Sequence, residues 1–64
     1  MMTKQQLDEA YKRTPKRHFS KFAEMFWILF NDGVNGYLAS LETLCAYYPE
    51  CNRQELEEEL DEYI

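Results

Sequence analysis

An all-α fold, a small bundle of three to four short helices, is what this sequence predicts, and three observations carry it. Apolar residues at Phe19, Phe22, Ala23, Phe26, Leu29 and Phe30 recur at i, i+3, i+4, i+7, i+10 and i+11, the spacing of one helix face. A second series, Val34, Tyr37, Leu38, Leu41, Leu44, Cys45 and Tyr48, repeats the pattern. The breaks between periodic stretches carry helix-stopping and helix-starting chemistry: Thr14-Pro15, Asn31-Asp32-Gly33 and Tyr48-Pro49.

The 64 residues make a single domain, 1–64, and a chain this short buries only about 60% of its unfolded surface. Four Phe residues in the central stretch, worth roughly 1.5–3 kcal/mol each when buried, are the main resource against that deficit. The remaining routes are disulfides, metals and oligomerisation, and two cysteines leave oligomerisation as the open one.

The first helix starts after Thr3, with Gln6 as the reciprocal capping-box partner, and runs to about Lys12. Its stripe of Leu7, Ala10 and Tyr11 is too narrow for it to persist without docking. Thr14 as cap and Pro15 at the first helical position open the second helix, about 15–31. The third, about 34–48 with Asp32 or Asn35 as cap, pairs with it as a central helical hairpin; Gly36 weakens its first turn by about 1 kcal/mol relative to Ala. A rival reading pairs Trp27–Phe30 and Val34–Leu38 as a β-hairpin about Asn-Asp-Gly, but the helical period runs longer than strands do. Asn52 caps an acidic C-terminal helix, about 53–63, with a stripe of Leu56, Leu60, Tyr63 and Ile64. That helix lies across the hairpin.

The second helix carries an anomaly. At 100° per residue Ile28 falls opposite the Phe stripe, among Arg17, Lys21 and Glu24, while Met25 and Trp27 take the flanks. A helix apolar nearly all round asks for cover on every side, from the rest of the chain, a second subunit or a partner.

Catalytic signals are poor, and the chain is read as non-enzymatic with no cofactor and no metal site. His18 is the sole histidine, and it sits in a basic cluster without the arrangement nucleophilic or acid–base catalysis needs. Cys45 and Cys51 match no zinc spacing, and Cys45 on an apolar stripe reads as a small core residue. Gly33 and Gly36 lack the residues of a phosphate loop. The longest apolar run, Met25–Phe30, is far short of the ~20 residues of a membrane helix. With two cysteines and a polar N-terminal stretch, the expectation is a cytoplasmic protein with reduced thiols.

Charge is divided along the chain. Residues 1–21 hold six Lys and Arg against Asp8 and Glu9, a net of +4; residues 22–64 hold Arg53 against ten carboxylates, a net of −9. The acidic helix packs Glu55, Glu57, Glu58, Glu59, Asp61 and Glu62 into seven steps, about one charge per 2 Å of axis. Duplex DNA carries one per about 1.7 Å, so this helix is dense enough to mimic nucleic acid in a basic groove.

The resulting expectation is a protein-binding regulator or inhibitor that docks on another protein, with Met25, Trp27, Ile28, Glu55, Glu58, Asp61 and Glu62 as candidate contacts. Small acidic proteins without catalytic groups, those of phages and mobile elements among them, offer the analogy. Two alternatives are kept: a nucleic-acid binder through Lys12, Arg13, Lys16, Arg17 and Lys21, and a homodimer or larger homo-oligomer serving a structural role.

Overall fold

The computed structural model describes residues 2–15, 19–32 and 36–63. Those residues form four helices, α1 Lys4–Arg13, α2 Lys21–Asn31, α3 Gly36–Tyr47 and α4 Arg53–Tyr63, and no strand. The β-hairpin alternative is thereby excluded: Trp27–Phe30 and Tyr37–Leu38 are helical, while Gly33, Val34 and Asn35 lie outside the described residues.

α2 is the centre, packed against each of the other three helices. Ala23, Met25, Phe26 and Leu29 are fully buried there, and Leu7 of α1, Leu41 and Leu44 of α3 and Leu56 and Leu60 of α4 converge on them. Met25 is thus a core residue, correcting its expected place on a partner-facing flank. With helices against several sides of α2, its buried arc is wider than the Phe stripe alone. The aromatic rings tie the arc together: Phe26 meets Trp27 edge-on at 5.3 Å, Tyr37 at 5.3 Å and Phe30 at 5.8 Å, contacts worth about 0.5–1.5 kcal/mol each beyond burial.

The helix ends correct the predicted boundaries. α1 keeps its capping box, Gln6 N–H donating to Thr3 Oγ1 at 3.1 Å and Thr3 N–H to Gln6 Oε1 at 2.9 Å. Thr14, expected to open α2, instead closes α1, its hydroxyl donating to Ala10 O at 2.7 Å. α2 begins six residues after Pro15, capped by Ser20, whose Oγ accepts from Ala23 N–H. Asp32, a candidate cap for α3, is the C-cap of α2. Gly36 is the first residue of α3 with φ +70°, a left-handed conformation that favours glycine. Asn52 caps α4 as expected, accepting from Glu55 N–H at 3.1 Å.

Two predicted core residues lie outward. Leu38 is 62% exposed and Phe30 38%, because α3 turns Tyr37 rather than Leu38 onto Phe26, and Phe30 stands at the last turn of α2. Among the described residues no helix is long and apolar enough to cross a membrane.

Phe26→Ala should lower the unfolding free energy by about 3–5 kcal/mol, leaving a domain this small largely unfolded at 25 °C. Urea titration followed by far-UV circular dichroism measures this, and a loss below about 1 kcal/mol would contradict a core centred on Phe26.

Candidate functional site

The acidic helix divides its carboxylates between two tasks. Leu56 and Leu60 face the core, so residues beside that stripe are held near the fold and residues opposite it are not. Glu59 lies beside it and reaches the start of α2, where Ser20 N–H donates to Oε2 at 2.9 Å and Ser20 Oγ–H to Oε1 at 2.6 Å. A carboxylate at a helix N-terminus also meets the positive end of its dipole. Glu57, on the other flank, pairs with Arg53 at 3.2 Å. Glu55, Glu58, Asp61 and Glu62 fall on the opposite face and are exposed. Tyr37 of α3 feels this charge: burial first, then Asp61 and Glu57, raise its pKa, with Arg53 opposing.

With Glu57 and Glu59 engaged, four carboxylates without an ion-pair partner among the described residues remain over the same seven steps, about one per 2.6 Å of axis. That is sparser than duplex DNA at about one per 1.7 Å. The helix offers a compact acidic patch more than a continuous phosphate-like track.

The basic residues are distributed differently. Lys12 pairs with Asp8 at 3.4 Å along α1. Lys21 sits 5.9 Å from the Phe22 ring and 5.8 Å from the Tyr48 ring, and Lys4 stands 5.0 Å from Tyr48. Arg13 is exposed, and Lys16, Arg17 and His18 lie outside the described residues. Buried Tyr48 has its pKa raised, by desolvation and then by Asp8 and Glu50.

The sequence places Ile28 opposite the Phe stripe, among Arg17, Lys21 and Glu24, and leaves its cover open. In the structure Glu24 and Ile28 line a cleft. Thr14, at the end of α1, lines it together with Glu24, Trp27, Ile28 and Asn31, and its volume, open to solvent, is about 300 Å3. Trp27 and Ile28 are half-buried, and Glu24 is only 5% exposed. Neither Glu24 Oε1 nor Trp27 Nε1 has a hydrogen-bond partner among the described residues, although both atoms are out of contact with bulk water. Sequence reasoning missed Glu24 because helical spacing alone puts it on the polar side; the unexplained Ile28 on that side was the available signal.

Cys45 and Cys51 are both free, and Cys45 lies close enough to influence the Cys51 thiol. Cys51 is buried where α3 gives way to α4, and Cys45, predicted as core, is half-buried against it. Desolvation first, then Cys45 and the nearby Glu50 charge, push the Cys51 thiol up to about 12 from an ordinary value of 9. No family model matches the chain, and no curated protein or solved structure matches it either.

Two outcomes follow from these contacts. Glu59→Ala should cost about 1–2 kcal/mol of stability by removing the cross-chain clamp on α2, while Glu58→Ala stays within about 0.5 kcal/mol; denaturant titration of both variants checks the contrast. Because the fold favours the protonated Cys51 thiol, its stabilising effect is present below pH 9 and is lost as pH rises toward 12. At pH 8 iodoacetamide should modify Cys51 far more slowly in the folded chain than in urea, as peptide mass spectrometry will show.

Proposed function

We propose that this chain is a non-enzymatic protein-binding regulator that docks through the acidic face of α4 on a basic surface of another protein. The observation that carries the reading is that Glu55, Glu58, Asp61 and Glu62 share the outward face of one short helix while the carboxylates beside the core are engaged with Ser20 and Arg53. Like charges three and four residues apart repel by a few tenths of a kcal/mol per pair, and neither ion pair between described residues offsets this on that face. A cationic partner surface would relieve the repulsion and would be steered to it over distance. The exposed Phe30 and Leu38 are apolar contacts at the rim of the bundle, and a second copy of the chain is the competing occupant for them.

Replacing all four, Glu55→Gln, Glu58→Gln, Asp61→Asn and Glu62→Gln, should leave the helical signal intact. It should also abolish capture of a partner that the native chain retains from nuclease-treated lysate at low salt and releases at high salt. Equal capture by the neutralised chain overturns the assignment. Recovery of nothing but the chain itself would move the function to self-assembly.

A further inference from the structure

We infer that the cleft between the end of α1 and the outer face of α2 is a binding site for an arginine side chain presented by a partner polypeptide. Glu24 is nine-tenths buried or better and lines this cleft, its side-chain Oε1 is buried without a hydrogen-bond partner among the described residues, and neither ion pair between described residues includes it. A carboxylate taken out of water without a counter-ion is expensive, and folded chains normally pair it. The described ion pairs, Lys12 with Asp8 and Arg53 with Glu57, lie elsewhere.

The neighbouring groups narrow the ligand. Trp27 supplies an aromatic wall, which attracts a cation over its face. A planar guanidinium can meet a carboxylate through two parallel N–H groups and stack on indole, which an ammonium cannot do. Asn31, whose side chain carries an amide oxygen that can accept, lines the same cleft. Trp27 Nε1–H is a donor and needs an acceptor, which a guanidinium lacks and the backbone carbonyl beside an arginine supplies. About 300 Å3 is the low end for ligand pockets and suits one side chain. This site shares no residue with the acidic face of α4, so the two readings fail separately.

Trp27 is the sole tryptophan, so its fluorescence reports on the cleft directly. N-acetyl-argininamide added to the full chain should give a saturable change in Trp27 emission, and N-acetyl-citrullinamide, its neutral isostere, should give none. Glu24→Gln should weaken binding at least tenfold. Asn31→Asp, at the exposed end of the cleft, should tighten it severalfold, and this arm decides the matter if the Gln variant does not fold. No saturable change, an equal response to the citrulline compound, or unchanged affinity in the two variants would overturn the site and leave water as the partner of Glu24 and Trp27.

Discussion

Burial of α2 is the constraint on which everything else in this chain depends. α1 and α4, at 10 and 11 residues, are below the length at which isolated helices persist in water, and α3 at 12 is at its edge. Each acquires its stability by covering part of α2, and α2 in turn has more apolar surface than one neighbour can cover. Phe26 sits where these demands meet, with no exposed surface and three aromatic neighbours within 6 Å.

Capping then turns this mutual dependence into a defined arrangement. Thr3 and Gln6 close α1 locally, and Asn52 does the same for α4. The start of α2 is different: Ser20 caps it, and Glu59, 39 residues away, holds Ser20 by both its amide and its hydroxyl. One local cap is thereby coupled to the docking of the last helix. Loss of α4 would unfasten the N-terminus of α2 as well as uncover its side.

What was legible in the sequence follows the same division. Helix identity, the Thr3 box and the Asn52 cap depend on neighbours a few residues apart, and periodicity and cap chemistry reveal them. Thr14 misled because Thr-Pro is good chemistry both for ending a helix and for opening one, and the choice is made by how far the chain must travel before α2 can dock. Met25 was misplaced, and the burial of Glu24 was not foreseen, for a tertiary reason: the arc of a helix that is buried depends on how many helices surround it. Glu59 was hidden in a run of acids, although its position three residues after Leu56 places it beside the buried stripe.

The chain therefore uses carboxylates in two contrasting ways. Where the fold needs an acid, as at Glu59, the group finds donors at 2.6 and 2.9 Å. Glu24 and the outward face of α4 have no such partner among the described residues, and both carry a cost: desolvation for the first, mutual repulsion for the second. A domain of this size has little stability in reserve, so two acidic features without a partner among the described residues are substantial burdens on it. They have different geometries, one a buried carboxylate beside an indole and the other an open helical patch. Both would be relieved by the same thing, positive charge brought from outside, and this shared remedy is what links the acidic composition of the chain to the basic partner proposed for it.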